Sequence, residues 1–225
     1  MKNIEFSDEI REAAPGLKVL QVECRVENPD TCDELWGELE KEAEKIASAF
    51  RIDEINKREG IAATRAAYKR LGKEPNRYRP SAEALCRRIV NGKGLYRLTT
   101  LVDVINLLSV ASGYSIGGFD ADHIEGDTLT LGAGKEGEAF NAIGRGTLNI
   151  AALPIYRDSK GGIGTPTSDE ERTKLTSGTR RLLMLVNIYG EELPVTETEE
   201  LARRLLTQYA SAADIETRLL SVTGD

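Results

Sequence analysis

The stretch over residues 95–126, LYRLTTLVDVINLLSVASGYSIGGFDADHIEG, constrains this chain more than any other. It reads as a loop, a capped helix and a glycine-marked turn into an extended segment. Thr100 and Asp103 have the S/T-x-x-D/E form of a helix start. In that arrangement a hydroxyl and a carboxylate take up backbone N–H groups that lack a partner in the first turn. Leu101, Val102, Ile105, Leu108 and Ala111 fall near one helical face, and Gly113 is placed to end the helix. At Gly117 and Gly118 a ligand can approach the backbone closely because no Cβ intervenes. Phe119, Asp120, Asp122 and the sole histidine, His123, complete the stretch.

The flanking segments alternate between helical and strand periods, which points to a mixed α+β chain. Residues 2–6 and 17–26 read as strands, the second after a Pro15-Gly16 turn. Thr31 and Glu34 form a second capping box, opening a helix to about Phe50 with Leu35, Trp36, Leu39, Ala43 and Ile46 on one stripe. Residues 52–71 read as two short helices separated near Gly60. Ser81 can cap a helix bearing Leu85, Ile89 and Val90. Residues 128–131 alternate as a strand. The glycines at 132, 134 and 137 match G-x-G-x-x-G only loosely and open no helix, which excludes a dinucleotide site. Leu148, Ile150, Leu153 and Ile155 read as strand residues, with Pro154 marking an edge or bulge. Residues 161–179 are dense in hydroxyls, glycine and charge, as in a polar pocket wall lined by Ser168, Asp169, Arg172, Thr173, Lys174 and Thr176 or in a surface loop. The continuous apolar run LLMLVNI at 182–188 is a buried strand. Thr196 with Glu199, and Ser211 with Asp214, start two C-terminal helices.

Charge is distributed unevenly. The chain carries a net −7, which argues against indiscriminate nucleic-acid binding. Residues 65–97 nevertheless hold ten lysines and arginines against two acids, a balance of +8, whereas residues 1–60 stand at −7. A basic middle between acidic ends is the footprint of a phosphate-bearing partner, with solvated helix faces as the other reading. Arg77, Arg79, Arg87, Arg88 and Lys93 are the candidate RNA contacts. The three cysteines, Cys24, Cys32 and Cys86, form no C-x-x-C pair and are expected to be reduced. With one histidine, neither a His-based metal site nor a Ser-His-Asp triad is expected, and no cofactor or metal is assigned. No apolar run is long enough to span a bilayer, and the N-terminus lacks an apolar signal core, so a cytoplasmic protein is expected.

The run TTLVDVINLLSVASGYSIGGFDADHI resembles the B3/B4 domain of the bacterial phenylalanyl-tRNA synthetase β subunit. That domain carries an N-x-V-V-D-x-T-N segment and, at the same separation, a G-Q-P-x-H-A-F-D turn. Val102, Asp103 and Asn106 match the first; Gly113, Phe119 and Asp120 match the second. The resemblance extends over about residues 77–190 and is nearest to freestanding members of the family, whose R-P-S-x-E-x-L segment is matched by Arg79, Pro80, Ser81, Glu83 and Leu85. It implies helices packed on a β-sandwich of unusual strand order. It also implies one domain over 1–225, with an N-terminal α/β part to residue 75, a B3/B4-like core at 76–192 and C-terminal helices at 193–225.

The synthetase domain hydrolyses wrongly charged tyrosyl-tRNA. The resemblance therefore implies an RNA-binding domain that recognises the aminoacylated tRNA 3′ end and cleaves the ester with a positioned water, without aminoacylation activity. By position, Tyr96, Arg97, Thr99 and Thr100 would meet the adenosine end. Gly117, Gly118 and Phe119 would line the pocket, and Glu138, Ser168 and Asp169 would supply polar contacts. Asp103 and Asn106 would support the helix. Gly117 stands where the family has histidine, so either the pocket admits a different amino acid or hydrolysis has been lost. The alternative function is a non-catalytic module for a small amino-acid-like or nucleotide ligand. Oligomeric state is not readable from the sequence.

Overall fold

The computed structural model describes residues 1–224. Its strands are β1 (Asn3–Phe6), β2 (Lys18–Arg25), β3 (Ser115–Asp120), β4 (Thr128–Ala133), β5 (Asn141–Ala142), β6 (Gly146–Thr147), β7 (Pro154–Asp158), β8 (Gly161–Gly164), β9 (Arg181–Ile188) and β10 (Ala213–Ser221). Its α-helices are α1 (Asp8–Ala13), α2 (Asp33–Ala49), α3 (Glu59–Leu71), α4 (Ser81–Val90), α5 (Thr100–Ser112) and α6 (Val195–Tyr209).

Two four-stranded sheets form the scaffold. One has the order β10-β2-β9-β3 and is antiparallel throughout; the other has the order β1-β4-β7-β8, with β1 parallel to β4. The alternation of β9 assigns its two faces. Leu183 and Leu185 meet Val19, Phe119, Leu129, Leu131, Tyr156 and Ile163 in the core between the sheets. Leu182, Met184, Val186 and Ile188 face the other way, against Leu35 and Leu39 of α2, Leu101, Val104 and Leu108 of α5, and Leu205 and Leu206 of α6. Because both faces are covered, β9 has no polar period and is apolar over 182–188 except at Asn187, whose buried amide accepts from the Tyr156 hydroxyl and donates to the Ser115 carbonyl. The result is a mixed α+β fold with helices on one side of a β-sandwich whose strand order does not follow the sequence.

The α5 helix ends as its sequence indicates, with Gly113 in the left-handed region at φ 74°. Its start differs from the expected capping box. Thr99 is the N-cap, and it makes no side-chain cap. Asp103 instead accepts a 2.9 Å bond from the Leu98 amide and a 2.6 Å bond from the Thr31 hydroxyl. That contact takes Thr31 away from its own capping box, and the N-cap of α2 is Cys32. Likewise Pro80, not Ser81, is the N-cap of α4.

Residues 52–71 hold two helical pieces as expected, a 3-10 turn at Ile55–Lys57 and α3, divided at Arg58; Gly60 is the second residue of α3, where its missing Cβ admits the Tyr114 ring and the Gly113 carbonyl. Two further expectations are corrected. The second C-terminal helix is strand β10, paired with β2 from Ala213 to Ser221 through one bulge. Ser211 and Asp214 both have positive φ, at 47° and 54°, and so turn the chain back onto the sheet instead of capping a helix. Pro154 is the first residue of β7, which lies between β4 and β8 and is no edge, and Leu148, Ile150 and Leu153, expected in a strand, precede it outside the strands.

Candidate functional site

Helix α4 divides two recesses of opposite character. Ser81 and Leu85, one turn apart, look into an apolar cavity of about 280 Å³. Ala84, Arg87, Arg88 and Asn91, on an adjoining face, look into a cationic cleft of about 420 Å³. The β5–β6 hairpin crosses both, with Ile143 lining the cavity and Arg145 the cleft. Ile143 donates its amide to the Asp169 carbonyl at 3.0 Å, which ties the hairpin to the cavity wall.

The cavity lies where β3, an edge of one sheet, meets β8, an edge of the other, beneath α5. Val102, Ile105, Ile116 and Leu175 contribute apolar surface, and Asn106, Ser109, Thr165, Ser168, Asp169 and Lys174 supply polar groups. A Cβ on Gly118 would overlap Ile105 Cδ1, so any larger residue here displaces the Ile105 side chain. Asp169 is the chemically distinctive member. Its carboxylate accepts one bond, from the Gly118 amide at 3.3 Å, and no cation pairs with it among the described residues. Desolvation pushes its carboxyl up to about 7, against the lowering effect of that single hydrogen bond. The loop carrying it is rigid. Thr165 Oγ1 accepts from the Thr167 and Ser168 amides at 3.1 and 3.0 Å, and Thr167 Oγ1 is bonded to the buried Tyr68 hydroxyl at 2.9 Å.

The cleft gathers Arg77, Arg79, Arg87, Arg88, Lys93 and Arg145, and no carboxylate lines it among the described residues. Glu83 lies beneath, 1% exposed, 2.7 Å from Arg65, 3.6 Å from Arg87 and 3.8 Å from Arg79. One buried carboxylate thus orders three arginines and leaves the surface charge strongly positive.

The residues expected at the site separate into groups. Arg77, Arg79, Arg87, Arg88 and Lys93 converge on the cleft, and Gly118, Ser168 and Asp169 on the cavity. Tyr96 is 65% exposed, with the Arg88 guanidinium 4.0 Å from its ring centroid. Arg97 donates to the Thr31 carbonyl and the Asp33 carboxylate, so it is spent on the α2 N-terminus. Thr99 and Thr100 do not line the cavity; Thr100 is buried, with its hydroxyl toward the Asp30 carbonyl. Phe119 is fully buried between the sheets. A Cβ on Gly117 would meet the Phe119 ring at 2.6 Å, so the packing excludes an imidazole at that position. Glu138 pairs with Arg157, accepting at 2.6 Å on each oxygen, and lies away from the cavity. Lys174, expected at a polar pocket wall, does line the cavity, whereas sequence reasoning missed Ser81, Leu98 and Ile143 there and Arg145 in the cleft. Isolation of Arg145 between two glycines was its only signal. Among the described residues no group of three His, Cys, Asp or Glu side chains could hold a metal ion. No helix among them is long and apolar enough to cross a membrane.

The B3/4 domain model matches residues 63–200. No curated protein matches the sequence. The chain is similar to an N-terminal fragment of the phenylalanyl-tRNA synthetase β subunit from Pyrococcus horikoshii, known from a crystal structure, with 14% identity and a TM-score of 0.47. That similarity covers 96% of this chain and 50% of the fragment.

Proposed function

The chain belongs to the B3/4 domain family, and on that premise we propose that it binds the aminoacylated 3′ end of a tRNA and hydrolyses the ester there. One observation carries this reading: α4 and the β5–β6 hairpin form a common wall between an apolar cavity and a cationic cleft. An aminoacylated RNA end has the same two-part chemistry, a small side chain joined through ribose to a phosphate chain. The cavity volume suits one amino-acid side chain, and its polar groups fix orientation. The cleft neutralises phosphates without reading bases.

The ester is already activated, so the site has to place water and orient the carbonyl more than supply a nucleophile. Water attacks the carbonyl carbon, the bond to the ribose oxygen breaks, that oxygen takes a proton, and a free amino acid departs. Asp169 is the group assigned to hold the substrate's ammonium or attacking water, with Asn106 and Ser168 as hydrogen-bonding neighbours in the cavity. Deacylation of a panel of charged tRNAs tests the reading. At least one species is expected to be cleared by the wild type and spared by Asp169→Asn. A panel left intact by the wild type contradicts it.

A second reading rests on Asp169, whose carboxylate has no cation partner among the described residues and can take the ammonium of a free amino acid in the cavity. Under it, free amino acids raise the melting temperature, since a ligand of the native state stabilises it, while esters persist. No thermal shift with any amino acid removes this reading.

A further inference from the structure

Tyr96 is out of place by the rules that govern the rest of the chain. Its ring is 65% exposed although no strand or helix needs it outside. It also has one neighbour in each recess. The Arg88 guanidinium, which lines the cleft, stacks 4.0 Å from its centroid, and Leu98, two residues on and 51% exposed, lines the cavity mouth. A cation held on one side of an open aromatic ring makes a platform that stacks any flat base, because every base has a π-face. Arg145 stands on the far side of the cleft, at the tip of a hairpin anchored to the cavity wall.

We propose that Tyr96, backed by Arg88, is the stacking platform for the terminal base of a single-stranded RNA 3′ end whose phosphates cross the cleft toward Arg145. This rests on the reading of the cavity and cleft given above and adds how the end is held: by one unpaired base, without sequence readout. A base already stacked inside a duplex does not offer a free face to the ring. The side chain is a positioning group that sets where the ester enters the cavity.

Fluorescence anisotropy with three probes tests this. They are a 5′-fluorescein single-stranded RNA octamer ending in CCA, the same octamer with an abasic 3′-terminal nucleotide, and a blunt duplex of the octamer. The wild type is expected to prefer the intact octamer to the abasic one by between about fivefold and about 100-fold, and to the duplex as well. Tyr96→Ala is expected to bind the two single strands equally, and Tyr96→Trp to keep the preference. Arg145→Gln is expected to weaken both single strands by one factor and to lower the salt slope by about 0.7. Equal binding of intact and abasic octamers by the wild type, or preference for the duplex, overturns the platform. Base preference without hydrolysis of any charged tRNA leaves the platform and overturns the deacylase reading. Hydrolysis without base preference does the reverse. Because Tyr96 is exposed, an unchanged melting temperature for Tyr96→Ala confirms that the fold is intact.

Discussion

The cavity and the cleft on either side of α4 are built by opposite means. The cavity is assembled from five separated segments, and its polar members come from α4, α5 and the chain that follows β8; its one carboxylate has a single hydrogen-bond donor. The cleft is assembled mainly from one continuous segment, and its charge is ordered from beneath by Glu83. One recess therefore keeps a group unsatisfied in an apolar setting, where a ligand can complete it. The other satisfies its buried acid fully and leaves surplus charge outside, where it acts at longer range. Under the proposed function, selectivity belongs to the first and capture to the second.

The largest effect should come from removing the carboxylate under the cleft. Glu83→Ala leaves Arg65 buried without its counter-ion and is expected to cost about 3–5 kcal/mol in chemical denaturation. A loss below about 1 kcal/mol would mean that the cleft's arginines are independently solvated and that the contrast with the cavity is false.

Asp169 should behave in the opposite sense. Its carboxyl is raised in the folded protein, so between about pH 4 and about pH 7 the native state holds more protons than the unfolded chain. Stability attributable to this group therefore falls as pH rises through that window. Asp169→Asn removes the slope. The variant should match the wild type near pH 4 and exceed its stability at pH 8 by at most about 4 kcal/mol, less as cavity water screens the carboxylate. Equal pH profiles for the two proteins would show that the carboxylate is freely hydrated.

The smallest effect per residue lies on the cleft's rim. Arg77 and Lys93 have no carboxylate partner among the described residues, and each neutralised alone should leave stability within about 0.5 kcal/mol. Each should lower the slope of log affinity for single-stranded RNA against log salt by about 0.7. An unchanged slope would remove that residue from the phosphate path.

The same contrast explains what the sequence made legible. The cleft was readable because its charge is concentrated in one segment, and β9 because a strand covered on both faces loses its polar period. The cavity was only partly readable: Lys174 was legible as part of a polar segment, but Leu98 and Ile143 carry no local pattern and join it only after the sheets close. β10 was misread because Ile215, Leu219 and Leu220 also fit a helical spacing. The deciding fact was tertiary: β2 has an open edge that the C-terminal segment fills. The hydroxyl of Thr31 was assigned to its own helix for a similar reason, its true partner Asp103 being 72 residues away. Gly117 and Gly118 were noted for close approach, and the structure gives the two glycines different neighbours, the Phe119 ring for one and Ile105 for the other.

The central claim is that the two recesses hold different parts of one ligand. Hydrolysis of a cleared aminoacyl-tRNA, measured across RNA concentration, tests it most directly, using Asp169→Asn and the double variant Arg77→Gln, Lys93→Gln. The account predicts that Asp169→Asn lowers the saturated rate by about tenfold or more, with KM little changed. It predicts that the double variant raises KM and leaves the saturated rate intact. Loss of the same parameter in both variants, or no charged tRNA bound or cleared by the wild type, would contradict it.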